Sequence, residues 1–329
     1  MTVLVVGAGI SGLACARALQ SANVDVRVVD RGRAVGGRMS GRRLDGRPVD
    51  LGASYFTASD SRFRTVVQDW TRRGLAREWT DTFAVADGDG IRESRTGPMR
   101  YASPTGLRDL VIDLAGGVDV GLEHSVEQVT GSGPQGGTAG PVTVDGERFD
   151  AVVLAMPDPQ ALRLVPQDTI AARLKQQWEP TIAVALRWSE RAWAPDLHGA
   201  FVRDSPDFAS PLSFIADDGD RRGDGAPVLV AHSTGPFARE HLEHPEGAIA
   251  PIVGAVRRIL GIRDAPISRY AHRWSFARPA STHGSPYLLE GGIGVCGDSW
   301  GEKSSVETAW VSGHELGLAI AAAGTSGPL

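Results

Sequence analysis

The sequence predicts an α/β protein in which a parallel, helix-covered sheet is assembled from discontinuous segments near both chain ends, with a domain of antiparallel sheet plus helices inserted between them. Three observations carry that prediction. VLVVGAGISGLACARALQSANVDVRVVD runs from an apolar strand through glycines into a helix and out into a second strand. GIGVCGDSWGEKSSVETAWVSGHELG repeats the strand, the glycines and the helix near the other end. Between them TIAVALRW, HGAFVRD, PLSFIAD and PVLVAHST alternate apolar and polar residues like strands of an antiparallel sheet, and the amphipathic helix GAIAPIVGAVRRILG follows.

In the first stretch, Gly7 permits the tight turn, Gly9 lets backbone approach a diphosphate, and Gly12 lets the helix pack closely on the sheet. Asp30 stands 18 residues beyond Gly12, at the end of the second strand, where a carboxylate accepts from a ribose hydroxyl. Strand, turn, helix, strand and acid together make a Rossmann-type dinucleotide site; the alternative is glycines that serve strand-to-helix packing alone. RGRAVGGRMS then sets Gly36, Gly37 and Arg38 where bare backbone and a guanidinium can meet the same diphosphate. VDLGASYF, Val49 to Phe56, reads as a short apolar strand whose Gly52 and Ala53 are small enough for a flat ring to lie on the backbone.

The second stretch is a strand ending on Gly297 and Asp298, before a helix with Val306, Ala309, Trp310, Gly313 and Leu316 on one face. Asp298 suits a ribityl hydroxyl, and N–H groups at Val306 to Thr308 suit a ring that becomes anionic on reduction. A nicotinamide has no ribityl chain and gains no negative charge on reduction, so one molecule, FAD, accounts for both turns. The segment Gly297 to Gly301 also matches the G-x-S-x-G nucleophile elbow formally. An acid and a histidine on separate later elements should follow such an elbow, and the one remaining helix offers only Glu307, His314 and Glu315.

Composition excludes several classes. The 329 residues are 42% hydrophobic and 22% charged, ordinary globular material for about two domains. A net charge of -5 argues against a nucleic-acid partner, which calls for a basic face. Cys15 and Cys296 are too few and too far apart for a disulfide framework or zinc site, and read as core residues of a protein in a reducing interior. With no targeting segment before the first strand and no apolar run of membrane-spanning length, the expected location is cytoplasmic.

GAGISGLACA, GGRMS with LGASYF, LAMPDPQAL, HRWSFARP and GD…VETAWVSG together resemble the renalase-like branch of the FAD-dependent amine oxidase superfamily. The resemblance runs the length of the chain in order, dense in the FAD segments and patchy from about Arg163 to Arg269. It implies a FAD-binding domain of residues 1–75, 102–160 and 286–329, and a substrate domain of 76–101 and 161–285. It also implies FAD on Gly7, Gly9, Ser11, Gly12, Asp30, Arg31, Gly37, Arg38, Ala53, Val126, Asp298 and Val306, with Val126 a strand position whose backbone meets adenine.

The middle of the chain accommodates that layout. TGLRDLVIDLAGG puts Leu107, Leu110, Val111 and Leu114 on one helical face. VDVGLEHSVEQVTG, VTVDG and ERFDAVVLAMP read as a meander returning to the parallel sheet, with Gly131 to Pro141 a mobile hairpin tip. In HRWSFARPA, alternation sends His272, Trp274 and Phe276 to one side and Arg273, Ser275 and Ala277 to the other. Two readings stand side by side: the first set, with Trp300, walls the flavin and makes His272, Trp274 and Trp300 the catalytic candidates, or these residues are core. His241 and His244 have no third ligand nearby, so a solvated helix end is preferred to a metal site, and no metal is expected.

The resemblance implies a reaction in which misreduced NAD(P)H isomers give a hydride to FAD and dioxygen takes the electrons, yielding NAD(P)+ and hydrogen peroxide. A dihydronicotinamide needs no catalytic base. The amine-oxidase relatives usually carry a mid-chain lysine near the flavin, and the middle here offers only Lys175, read as lying on a surface helix. The alternatives are an oxidase of a small amine and a flavin-binding redox sensor without turnover.

Overall fold

In the computed structural model, which describes residues 1–131, 141–165, 169–205 and 208–326, strand Thr2–Val6 lies inside a six-stranded sheet. Val3 to Val6 are buried because both faces of a parallel central strand are covered. Strands Ala151–Leu154 and Asp25–Val29 flank it in parallel, Ile293–Val295 and Asp119–Gly121 extend the sheet, and Leu288–Glu290 closes one edge antiparallel. The sheet is thus drawn from near both chain ends, as the two glycine turns predict. A three-stranded meander, Val129–Thr130, Val142–Val144 and Glu147–Phe149, adjoins it in sequence. The predicted hairpin tip falls, at residues 132–140, outside the described residues.

Helix Ile10–Ser21 joins the first two strands, and the last helix, Val306–Ser326, packs on it. That packing needs bare backbone: a Cβ at Gly313 would run into the Ser11 carbonyl, and one at Gly317 would stand 2.6 Å from the Cys15 carbonyl. Cys15 and Cys296 are buried free thiols, Cys296 pushed up to about 12 by burial.

By contacts, residues 1–38, 111–178 and 278–329 form one compact unit and 39–110 with 179–277 another. Residues 39–75 and 102–110, assigned from the sequence to the FAD-binding domain, therefore pack with the second unit, and the described residues of 161–178 and 278–285, assigned to the substrate domain, with the first. There a seven-stranded sheet runs in the order Ser268–Pro279, Trp178–Arg187, Val228–Ser233, Leu212–Asp217, Gly199–Val202, Arg77–Asp87, Gly90–Ala102. From Trp178–Arg187 to Gly90–Ala102 the neighbours pair antiparallel except where Gly199–Val202 lies parallel to Arg77–Asp87. Helix Ile249–Leu260 covers one face with Ile252, Ala255, Val256 and Ile259, the three-to-four spacing of an amphipathic helix. Against the other face lie Leu44, Val49 and Leu51, and an aromatic group of Trp79, Phe83, Phe214 and Tyr55.

Two predicted strands differ. VDLGASYF is strand only to Asp50; Leu51 to Tyr55 is irregular, and Phe56 makes an isolated bridge to Tyr101. The cause is that side chains, not a neighbouring strand, take its carbonyls, as described below. Val126 lies in an irregular segment between strands Asp119–Gly121 and Val129–Thr130, half-buried, rather than within a strand.

Candidate functional site

In the first unit, the turn after strand Thr2–Val6 separates packing glycines from a glycine that packing leaves unexplained. Gly7 has φ +117, and a Cβ there would sit 2.6 Å from the Ala155 carbonyl oxygen; one at Gly12 would clash with the Gly7 carbonyl. At Gly9 a Cβ would meet only the Cα of Gly37, at 3.9 Å. Bare backbone facing room is the arrangement a closely approaching ligand needs. Gly9 is also the N-cap of helix Ile10–Ser21, with no side-chain cap and no acid in the first turn, so neither device offsets the first N–H groups of the helix.

Asp30 is fastened to that turn. Its Oδ2 accepts from the Ala8 N–H at 2.8 Å and its Oδ1 from the Gly32 N–H at 2.6 Å. Each oxygen retains a second lone pair for a ribose hydroxyl. The Gly36 N–H donates to the Ala8 carbonyl at 3.0 Å, bringing Gly37 beside Gly9, while Arg31 is exposed. Arg38 turns its guanidinium to Asp298, with bonds of 2.9 and 2.5 Å to the two oxygens, and lies 4.8 Å over the Trp178 ring. Ser304 Oγ donates to the same carboxylate at 2.5 Å. The structure so brings together the residues predicted for diphosphate and ribityl from opposite ends of the chain.

Beneath Asp298 the turn is anchored by Asp158, which is fully buried. Ser299 Oγ donates to its Oδ1 at 3.3 Å, and His283 Nε2 and the Gln176 N–H donate to its Oδ2 at 2.8 and 3.2 Å. His283 stacks on Trp300 with centroids 3.7 Å apart and planes 10° from parallel. This disposes of the nucleophile elbow, because the carboxylate stands between serine and histidine, Ser299 is buried, and its hydroxyl bonds Asp158 rather than a histidine. It also corrects Trp300: at 2% exposure, with His283 on its face, the indole offers nothing for a cofactor ring to lie against. At the last helix, Ser305 Oγ accepts the Thr308 N–H at 3.0 Å, so of the N–H groups expected to face the ring Thr308 is already capped.

In the second unit, strand Ser268–Pro279 alternates as predicted: His272, Trp274 and Phe276 are half-buried, Arg273 and Ser275 exposed. His272 and Trp274 meet edge to face at 4.6 Å. Trp274 Nε1 donates to the Leu51 carbonyl at 2.8 Å, and His232 Nε2 shares that acceptor at 3.2 Å. Buried Arg221 donates to the Ser54 carbonyl at 2.9 Å and the Asp50 carbonyl at 3.3 Å. The irregular segment carrying Ala53 is therefore hung on three side chains. Burial, helped by the Arg42 and Arg273 charges, holds His272 down to about 4, and burial holds His232 down to about 4. Both imidazoles are neutral at neutral pH, and the bond to Leu51 fixes the proton of His232 on Nε2.

His232 and Arg221 went unread in the sequence. His232 interrupts the apolar strand Val228–Ser233, opposite Phe214 and Ala183, a signal that was available. Arg221 lies within DDGDRRGDG, whose charges look solvated on paper; in the fold Arg221 and Arg222 pair with Asp218 and Asp50, all buried. Lys175 is exposed as expected, in a non-helical segment. No group of three His, Cys, Asp or Glu able to hold a metal occurs among the described residues, and none of their helices is long and apolar enough to cross a membrane.

A chain that folds both a Rossmann-type unit with a cradle of this kind and an antiparallel unit carrying half-buried aromatic residues has the parts of a dinucleotide-dependent oxidoreductase. The comparisons narrow the class. Residues 5–70 match the NAD(P)-binding Rossmann-like domain and residues 82–315 match the flavin containing amine oxidoreductase model. The chain belongs to the flavin-containing amine oxidoreductase family and is an FAD-dependent oxidoreductase of the renalase-like kind. It is 25% identical to renalase from Mus musculus over 89% of this chain and 92% of that protein. In fold it is similar to a triple mutant of putrescine oxidase, with a TM-score of 0.76 at 18% identity, covering 98% of this chain and 100% of that one. Cyclohexylamine oxidase from Brevibacterium oxydans gives 0.75 at 15% identity, covering 98% of each.

Proposed function

We propose that this protein is a cytoplasmic oxidase that takes a hydride from NAD(P)H isomers reduced at ring position 2 or 6, returning NAD(P)+ and passing the electrons to dioxygen as hydrogen peroxide. The likeness to renalase motivates the substrate, and two buried free cysteines suit a reducing compartment. FAD supplies the hydride acceptor at its ring and the route to dioxygen.

The observation that carries the reading is the character of the His272–Trp274 face. His272 is kept neutral mainly by burial, and the nearby Arg42 and Arg273 charges act in the same direction, so positive charge lies close to it. Such surroundings oppose an ammonium and favour a donor bearing phosphates. A dihydropyridine gives up its hydride without first losing a proton, so neutral His272 and His232 are required only to position and to exclude water. Trp274, its indole fixed by Leu51, offers a plane for the donor ring. Gly7, Gly9, Ser11, Gly12, Asp30, Arg31, Gly37, Arg38, Val126, Asp298 and Val306 are proposed for FAD in the first unit, and Ala53 is the flavin-facing proposal from the second.

The test is anaerobic bleaching of the flavin absorbance by each donor. The 2- and 6-dihydro isomers should bleach it rapidly and saturably, ordinary NAD(P)H and common amines slowly. Fast bleaching by a primary or secondary amine, with none by the isomers, assigns the protein to amine oxidation instead; no bleaching by any donor leaves a flavin-binding protein without turnover.

A further inference from the structure

The buried arginines of the second unit follow one pattern with one departure. Arg221 and Arg222 are matched by Asp218 and Asp50, as is half-buried Arg47 by Asp218 and Asp224. Arg100, on strand Gly90–Ala102, is 9% exposed, and its Nη1 is buried with no hydrogen-bond partner. No carboxylate pairs with it among the described residues. Its guanidinium carbon stands 4.0 Å from the Phe83 ring centroid and 5.6 Å from that of Tyr55. Ring faces attract the charge but accept no full hydrogen bond from its N–H donors. A buried guanidinium that lacks an acceptor carries an uncompensated desolvation cost, which an oxyanion removes in bidentate fashion.

The surroundings lead outward. Phe83 is in edge contact with Phe201 at 5.7 Å, and Phe201 meets Phe214 at 5.0 Å. Phe201 is 42% exposed, whereas Phe83 and Phe214 are buried. Tyr55, half-buried, follows Ala53 by two residues. A cation without a counter-ion thus lies at the inner end of an aromatic surface that reaches solvent at Phe201.

We infer that Arg100 and this aromatic surface form an oxyanion subsite for the hydride donor, with the guanidinium taking a phosphate while Phe201 and Tyr55 cover the adjoining planar or sugar portion. The inference rests on the proposed dinucleotide donor for the source of the phosphate. It does not depend on that donor for the existence of the site.

The experiment uses the FAD-loaded full chain. KM for a 6-dihydro dinucleotide is compared with KM for the corresponding dihydronicotinamide riboside, which has no phosphate, in wild type, Arg100→Met and Arg100→Lys. Wild type should prefer the dinucleotide, and Arg100→Met should shrink that preference by about 10- to 100-fold, the loss of a charge-assisted pair. Arg100→Lys, which keeps the charge but not the fork, should fall between them and serves where the Met variant does not fold. Independently of turnover, inorganic pyrophosphate and nicotinate are titrated by calorimetry into the same proteins. Pyrophosphate binding that is lost in the variants supports the inference even if no dihydronicotinamide bleaches the flavin, an outcome that removes the proposed function alone. Nicotinate binding to wild type without pyrophosphate binding overturns the phosphate assignment. Equal KM changes for dinucleotide and riboside, or calorimetric binding unchanged by the variants, overturn the subsite while leaving the donor reading intact.

Discussion

Single residues in the nucleotide cradle do separable jobs. Gly12 is required by the Gly7 carbonyl, whereas among the described residues a Cβ at Gly9 would meet only the Gly37 Cα at 3.9 Å. Gly9→Ala should therefore leave the apoprotein's melting temperature near wild type and weaken FAD retention, whereas Gly12→Ala should lower the melting temperature itself. Thermal melts of both apoproteins, with fluorescence titration by FAD, check this; a large loss of apoprotein stability in Gly9→Ala contradicts it. Asp30→Ala removes the carboxylate that accepts from Ala8 and Gly32. It should weaken FAD binding by about 1.5 to 3 kcal/mol, the range for losing a charged hydrogen-bond partner. FAD titration of the apoprotein reads that change. An unchanged dissociation constant would show that Asp30 serves the turn alone.

At the scale of elements, the irregular segment Leu51 to Tyr55 depends on a remote helix. Helix Asp218–Arg222 presents Arg221 to the Ser54 and Asp50 carbonyls, with Asp218 and Asp50 as counter-ions inside the unit. Removing one member of such a buried set strands its partners without compensation, so Arg221→Met should cost about 3 to 5 kcal/mol in folding stability. Denaturant unfolding of the variant tests this, and a cost below about 1 kcal/mol, the scale of an exposed pair, would mean that the network is dispensable. The His272 strand was legible in advance because alternation of two reports which side chains share a face. The Leu51 to Tyr55 segment was not, since apolar sequence there resembles a strand while its carbonyl partners come from Arg221, Trp274 and His232, distant along the chain.

For the molecule as a whole, acid titration exposes how these parts are buried. His232 is held down to about 4 by burial, against an ordinary 6.5. Between those values the unfolded chain takes up a proton that the folded chain refuses, so this group favours unfolding progressively as pH falls from about 6.5 to 4. Asp218, held down to about 2 by Arg221, Arg222 and Arg47 against its own burial, acts in a lower window: its stabilisation is present above about 3.8 and is lost towards 2. Melting temperature should therefore begin to fall below about pH 6.5, and His232→Gln should remove one part of the decline between 6.5 and 4, leaving the part from His272, which is also held down to about 4. Parallel pH profiles of wild type and variant would contradict the assignment of that window to His232.

What the sequence determined by itself is the local chemistry of each piece. The glycine turns, the acid at Asp30, the alternating strands and the family resemblance are all contained in short stretches, because spacing within a few residues reports backbone geometry directly. What only the tertiary structure decided is which pieces meet. Arg38 closes on Asp298 across 260 residues, Asp158 takes Ser299 and His283 and so converts an apparent nucleophile elbow into a buried support, and Trp300 is turned inward by its stacking partner. Arg100, one arginine among many on paper, has no carboxylate partner among the described residues, while the other buried arginines of its unit, Arg221 and Arg222, are paired. The physical reason is that a charge or ring carries no local signature of its eventual partner: pairing over long separations is settled by the register and packing of segments that only the folded chain brings into contact.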